Sequence, residues 1–329
     1  MVRGRQRKSP AVTPKAVLGI LLAAAVLFVT AICLNGRLYR VSFLPTMSRV
    51  LSYVVFSEYP HFKMDSGDVA VHFIDVGQGD SALIQSDNIN VLIDCGDEEH
   101  ADSLVSYIES RGIQKIDYII ATHPHSDHIG GMNKILDSLI VGEIIMPQLA
   151  EGMVPLSTSY EALLDNIEKK SIRIRYAVVG AQLRLGGGTY IDFLAPIHDD
   201  YDSLNNFSVI VKLTHGKNRF LFCADAERAA ENDLLNTNSA IEADVIKIGH
   251  HGSTSSSTPA FLKKVSPKYA VISVGRNNVY GHPMPEVMER IEDVGALALT
   301  TAQYGHIVFV SDGGNLSFYT ESGYEREIA

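Results

Sequence analysis

Cysteine is scarce in this chain: 329 residues contain three, Cys33, Cys95 and Cys223. No two are spaced as a C-x-x-C pair, which excludes a disulfide framework and a cysteine-based zinc site. Cys95 and Cys223 each close an apolar stretch and read as buried free thiols. Basic charge is scarce too, with 28 Lys and Arg against 38 Asp and Glu. Five of those cations (Arg3, Arg5, Arg7, Lys8, Lys15) sit in the first fifteen residues, leaving 23 basic against 38 acidic residues, a net of −15, for the remainder. The remainder has no basic stripe of the kind that replaces counterions along a duplex. That argues against a non-specific duplex clamp and leaves local patches open. Low-complexity segments are absent.

What is present begins with an uncharged run of nineteen residues, Ala16 to Leu34, about the length that crosses a bilayer core as a helix. A cleaved signal peptide is the competing reading. It would want a shorter apolar region and a small-x-small site, which Ala31-Ile32-Cys33-Leu34-Asn35-Gly36 supplies poorly. A lipoprotein box would place Leu where Thr30 stands. The expectation is therefore a single-pass cell-membrane protein: a basic cytoplasmic flank over 1–15, a transmembrane anchor over 16–34, a linker over 35–68 and a catalytic domain over 69–329. The cationic flank favours an extracytoplasmic domain, although Arg37, Arg40 and Arg49 lie on the far side. No feature points to an obligate protein partner.

From Val69 onward short β-rich runs alternate with turn residues. Strands are expected at Val69–Val76, Ser81–Gln85, Val91–Asp94, Asp117–Ala121 and Glu143–Met146, and near Ile172–Val178. Helices are expected over Glu98–Arg111, with Ala101, Leu104, Val105 and Ile108 on one face, and over Ile129–Leu139 and Tyr160–Lys169. The second half repeats the theme. Strands Tyr190–Leu194, Ser208–Leu213 and Arg219–Cys223 lead to helix Ala226–Leu235. Strand Ala243–Ile248, helix Pro259–Val265, strand Tyr269–Val274, helix Pro285–Val294 and three short C-terminal strands follow. Two strand-rich halves, each with helices, make an α+β domain of two sheets packed face to face and covered outside by helices.

The chemistry concentrates in Thr122-His123-Pro124-His125-Ser126-Asp127-His128, between an apolar strand and a helix. Residues two apart in extended chain point the same way, so His123 and His125 can bind one metal together. The turn into the helix sends Asp127 and His128 toward a second. Imidazole with carboxylate suits zinc, and also manganese or iron. Further donors stand where apolar strands end: Asp94, Asp225 and the pair His250-His251. One such carboxylate alone is more often a cap; their repetition beside a dense histidine loop favours a metal site.

The order of Asp94, the H-x-H-x-D-H loop, Asp225 and His250-His251-Gly252-Ser253 resembles the metallo-β-lactamase superfamily. Phe73-Ile74-Asp75-Val76-Gly77-Gln78-Gly79-Asp80, Asn205-Asn206-Phe207-Ser208 and Tyr280-Gly281-His282-Pro283 are similar to the C-terminal domain of ComEC/Rec2 competence proteins, over roughly Ala70 to Tyr319. The resemblance implies an αββα sandwich and two divalent ions, zinc or manganese. His123 and His125 would bind the first; Asp127, His128 and one of His250 and His251 the second; Asp225 would bridge them. Asp94 and Asn206 would orient the ligands. Many superfamily members place another histidine where Asn205-Asn206 stands, so the first ion would be held weakly or completed by water; His198 is a nearby substitute or simply a solvated loop residue. His282 either braces its turn or assists a leaving group, as would His250, while Asp127 belongs to the reacting centre as a ligand. His61, His72, His100, His215 and His306 fit ordinary strand or surface positions.

Two such ions make hydroxide available at neutral pH. The expected activity is hydrolysis of a phosphodiester, nucleic acid included. Lactone, thioester or β-lactam hydrolysis is a second reading. A non-catalytic binding module that assists DNA uptake is a third.

Overall fold

In the computed structural model, residues 62–329 are described, apart from 88, 324 and 329, and they lie within one compact unit, Ser57–Ala329. The expected flank, anchor and most of the expected linker fall outside the described residues. Among those described, no helix is long and apolar enough to cross a membrane.

The first half contains β1 (Val69–Phe73), β2 (Ala82–Ser86), β3 (Ile89–Ile93), α1 (Ala101–Ser110), β4 (Lys115–Ile120), α2 (Ser126–Ile129), α3 (Met132–Ser138), β5 (Ile140–Met146), α4 (Thr158–Lys169) and β6 (Arg173–Tyr176). The second contains β7 (Gln182–Gly186), β8 (Thr189–Phe193), β9 (Val211–His215), β10 (Asn218–Phe222), α5 (Arg228–Leu235), β11 (Val245–Lys247), α6 (Pro259–Val265), β12 (Tyr269–Ile272), α7 (Pro285–Asp293) and β13 (Leu297–Thr300). A short helix α8 (Thr301–Tyr304) then leads to β14 (Ile307–Ser311), β15 (Leu316–Thr320) and β16 (Glu325–Ile328).

The strands form two sheets, ordered β16-β15-β14-β1-β2-β3-β4-β5-β6 and β13-β12-β11-β10-β9-β8-β7. Successive strand side chains point to opposite faces, and the sequence exploits this. Val69, Val71 and Phe73 of β1 join Phe220 and Phe222 of β10 in the core between the sheets. There Phe73 stacks on Phe222 with centroids 5.7 Å apart. The alternate residues face outward. Leu83 and Leu92 meet Leu104, Ile108, Met132 and Leu163 from the helices over the first sheet, and Leu221 and Ile246 meet Leu234, Phe261 and Ile291 over the second. Burying each large apolar side chain contributes on the order of 1.5–3 kcal/mol. The result is the expected αββα sandwich.

Three local expectations need correction. The helix anticipated over Ile129–Leu139 is broken into α2 and α3 at Gly130-Gly131. Here the chain is pinned to the loop after β3, with Cys95 N donating to His128 O at 2.7 Å and Gly131 N to Gly96 O at 3.0 Å. The strand expected from Ser208 begins at Val211, because Leu204–Phe207 forms a 3-10 turn instead. Four C-terminal strands replace three. Phe62 and Met64 pack on Ala70 and Val308 just ahead of β1.

What places the site is strand direction. β3, β4, β5 and β6 are mutually parallel, as are β10, β11, β12 and β13. Open α/β sheets gather ligands outside the carboxyl ends of such strands. Asp94 follows β3, the histidine loop follows β4, Asp225 follows β10 and His250-His251 follow β11.

Candidate metal centre

His125 is extended (φ −71°, ψ 148°) and caps α2. His123 and His125 therefore point the same way, as the spacing predicts, with His123 Nε2 and His125 Nδ1 2.9 Å apart. The first turn of α2 carries Asp127 and His128 toward the second sheet. Asp225, at the end of β10, is held by a hydrogen bond from its backbone N to Ser208 Oγ (3.2 Å). Its carboxylate is the meeting point. Oδ1 lies 3.2 Å from His128 Nε2 and 3.6 Å from His251 Nε2, and Oδ2 lies 3.9 Å from His123 Nε2 and 3.6 Å from His250 Nε2.

Two groups of donors meet at Asp225. His123, His125 and Asp225 converge within 4.8 Å of one another, and so do Asp127, His128, Asp225 and His251. Asp225 belongs to both. His128 Nε2 and Asp225 Oδ1 are buried, and neither has a hydrogen-bond partner. They approach each other without hydrogen-bond geometry, an expensive arrangement unless a cation satisfies both. The donor set, borderline imidazoles with hard carboxylates, fits a pair of divalent ions.

Local backbone conformation decides which of the two adjacent histidines joins the cluster. His250 (φ 50°) and His251 (φ 54°) are both left-handed, and Gly252 follows at φ 85°. Consecutive left-handed residues splay the side chains, so the rings stand 6.2 Å apart at 70°. His251 turns inward, 3.2 Å from Asp127 Oδ2. His250 turns toward Ser255 Oγ (3.1 Å) and Glu227 Oε1 (3.5 Å), leaving Nε2 facing Asp225. Of eight non-glycine residues with positive φ among those described, Asp94, Ala224, His250 and His251 carry or adjoin the cluster. Such strain persists where the surrounding structure enforces it, commonly at functional sites.

An outer layer fixes the rings. Asp94 Oδ2 accepts from His128 Nδ1 at 2.7 Å and from Thr122 Oγ1 at 2.7 Å, and Oδ1 accepts from Thr122 N at 2.8 Å. This commits His128 Nε2 to the cluster. His251 Nδ1 donates to Ser273 O at 3.0 Å and lies 3.3 Å from Asp80 Oδ1, while Asp80 Oδ2 pairs with the buried Lys247 ammonium. Gly79 lets this turn approach: a Cβ there would stand 2.4 Å from Asp127 O. Asn206 holds the segment that follows Asp225. Its Oδ1 accepts from Glu227 N and Ala230 N, both at 3.2 Å, at the start of α5. His198 is half-exposed, 3.7 Å from Asp233 and absent from both donor groups. His282 sits at the rim, its ring 6.0 Å from that of His250. Cys95 and Cys223 are free and buried, and burial pushes both thiols up.

The sequence alone assigns no role to Lys247, Asp80, Glu227 or Ser255, which the fold places beside the cluster. A lysine inside the apolar run Val245-Ile246-Lys247-Ile248 was the available signal, since a buried ammonium requires a partner.

The electrostatics describe a cluster holding protons where cations would bind. Burial disfavours charge on His251, yet Asp225, Asp80 and the Asp127 hydrogen bond outweigh it and push the imidazole up to about 9. Burial likewise opposes charge on His128, and Asp225 and Asp94 nonetheless raise it well above the usual range. Against the same burial, the facing imidazoles hold Asp127 and Asp225 below the usual carboxylate range. His123 goes the other way, depressed by burial and by His128.

A β-sandwich with this donor set at one edge is that of a metal-dependent hydrolase family: the chain belongs to the metallo-β-lactamase superfamily, whose pattern matches residues 74–276. Within it, the curated relatives place the chain with the ComEC/Rec2 competence proteins, bearing out the resemblance in the sequence. The ComE operon protein 3 of Bacillus subtilis is 30% identical over 262 residues, 74% of this chain and 33% of that protein. Recombination protein 2 of Haemophilus influenzae is 28% identical over 242 residues, 72% of this chain and 28% of that protein. The chain thus spans about a third of the length of these relatives. Among solved structures, the metallo-β-lactamase fold protein YhfI of Bacillus subtilis is similar at 15% identity and a TM-score of 0.49, covering 79% of this chain and all of that one.

Proposed function

We propose that the protein is a membrane-anchored, two-metal phosphodiester hydrolase with its catalytic domain outside the cytoplasm. The observation that carries the reading is the sharing of one buried carboxylate, Asp225, by two groups of convergent donors. His123 and His125 with Asp225 would hold one ion; Asp127, His128 and His251 with Asp225 would hold the other. Bound there, zinc or manganese would supply Lewis acidity toward a phosphoryl oxygen and hydroxide at neutral pH.

The chain's own residues do the rest. Asp94 fixes the His128 ring, and Ser273 O with Asp80 fixes the His251 ring, so both Nε2 atoms face inward before any ion arrives. Asp127 and Asp225 remain ionised and serve as ligands, which makes neither a general base. His250 is held through Nδ1 by Ser255 and presents Nε2 beside Asp225, where it can give a proton to the departing oxygen. His282 stands next to it at the rim and supports the same leaving group. The competence relatives favour a phosphodiester over a lactone, thioester or β-lactam, and residues 16–34 with their basic flank favour the anchor.

His125→Ala should remove a ligand of the first ion, lower the bound metal per chain and abolish turnover of bis(p-nitrophenyl) phosphate. Unchanged turnover would sink the site. Cleavage of chromogenic lactone, thioester or β-lactam substrates in preference to the phosphodiester would move the reading to that class.

A further inference from the structure

The loop after β12 is fastened on both sides of its tip. Gly275 N donates to Gln78 Oε1 at 3.2 Å, and Arg276 Nε donates to Ala302 O at 2.8 Å. Asn278 closes the loop on itself: its Nδ2 donates to Gly275 O (3.0 Å) and His282 O (2.8 Å), and its Oδ1 accepts from His282 N (3.0 Å). Beyond the tip, Met284 N donates to Gly252 O at 2.9 Å, and Pro283 packs so closely under Gly252 that a Cβ there would be 2.6 Å away. The loop is therefore bound both to the turn before Asp80 and to the turn that carries His250 and His251.

Its tip nevertheless holds two large apolar side chains in water, Val279 at 91% and Tyr280 at 64% exposed. The Tyr280 ring is stacked on His282, centroids 5.7 Å apart and planes 23° from parallel, and His282 is 6.0 Å from His250 beside Asp225. A flexible loop could fold such residues away. A rigid one that keeps an oriented aromatic ring exposed at the rim of a polar centre is preorganised for a planar ligand.

We infer that Tyr280, backed by His282, is a stacking platform for a planar ring carried on the phosphodiester, such as the unpaired base of a nucleotide adjoining the scissile phosphate. The inference rests on the phosphodiesterase reading and narrows its substrate. Every base offers a π-face, so the platform is tolerant of sequence. It requires a base that is out of a duplex, which suits a domain with no basic stripe to grip one. Val279 extends the platform beside the ring. The subsite thus takes a nucleoside monophosphate unit, a strand end or a single-stranded segment, and refuses paired DNA.

The test uses the full chain loaded with zinc or manganese and two esters that release the same p-nitrophenolate: thymidine 5′-(p-nitrophenyl phosphate) and ethyl p-nitrophenyl phosphate. The wild type should favour the thymidine ester by about ten-fold in kcat/KM, chiefly through KM. Tyr280→Ala should erase most of that preference, and Tyr280→Phe and Tyr280→Trp should keep it. Equilibrium binding of thymidine 5′-monophosphate should weaken by about ten-fold in Tyr280→Ala and hold in Tyr280→Phe. Equal kcat/KM for the two esters in the wild type, or a preference that survives Tyr280→Ala, overturns the platform and leaves the phosphodiesterase standing. Hydrolysis of neither ester overturns both.

Discussion

Raising the pH of the metal-free protein from about 6 to about 10 should weaken the fold through His251. Against the lowering effect of burial, Asp225, Asp80 and the Asp127 hydrogen bond push the folded imidazole up to about 9 from its ordinary 6.5. A group whose folded value is raised stabilises the fold fully below the unfolded value and loses that contribution as pH climbs through the folded one. The difference corresponds to ~3 kcal/mol at 25 °C, and burial of His251 leaves little solvent screening to discount. His128 is raised too and adds in the same direction. Asp127 and Asp225, depressed by the same contacts, stay ionised throughout and contribute no further pH dependence in this window. Urea unfolding with chelator present, repeated across the range, should show a fall that is smaller by ~3 kcal/mol in His251→Gln, which keeps only the His128 share. Saturating zinc should flatten the profile, because the ions replace the protons, and apparent metal affinity should rise with pH. Parallel profiles for wild type and His251→Gln would refute the reasoning.

Lys247→Met leaves the Asp80 carboxylate buried without its ammonium, and should cost about 3–5 kcal/mol in urea unfolding. Adding Asp80→Asn should restore part of that loss. Asp94→Ala frees the His128 ring and should weaken metal binding about 10- to 100-fold in chelator competition, with a smaller effect on the thermal midpoint of the metal-free protein. Gly79→Ala drives a methyl toward Asp127 O, a contact of 2.4 Å, and should release metal and destabilise by about 1–3 kcal/mol. Its metal content by elemental analysis, measured against the wild type, checks the displacement.

Short β-rich runs bounded by turn residues are enough to foresee two strand-rich halves, and strand ends mark where donors gather, while the placing of Val69, Val71 and Phe73 between the sheets comes from the fold. The pair His250-His251 shows where that reasoning stops. Composition makes both histidines equal, and only two successive left-handed residues turn one inward and the other toward Ser255. Asn206 shows a second limit: the resemblance gives it a supporting place among the ligands, and only the fold shows that its Oδ1 accepts from Glu227 N and Ala230 N in the segment after Asp225. The Gly130-Gly131 break was hidden because hydrophobic periodicity runs through it, and the close pinning of the chain to Gly96 that requires it is a tertiary contact. Lys247 was visible as a lone cation in an apolar strand, but its partner Asp80 lies 167 residues away.

Anomalous scattering from crystals grown with manganese or zinc addresses the centre directly. Two peaks should appear per chain, both within bonding distance of Asp225, one also at His123 and His125, the other at Asp127, His128 and His251. A single peak, or two that do not meet at Asp225, would contradict the shared carboxylate on which the proposed chemistry depends.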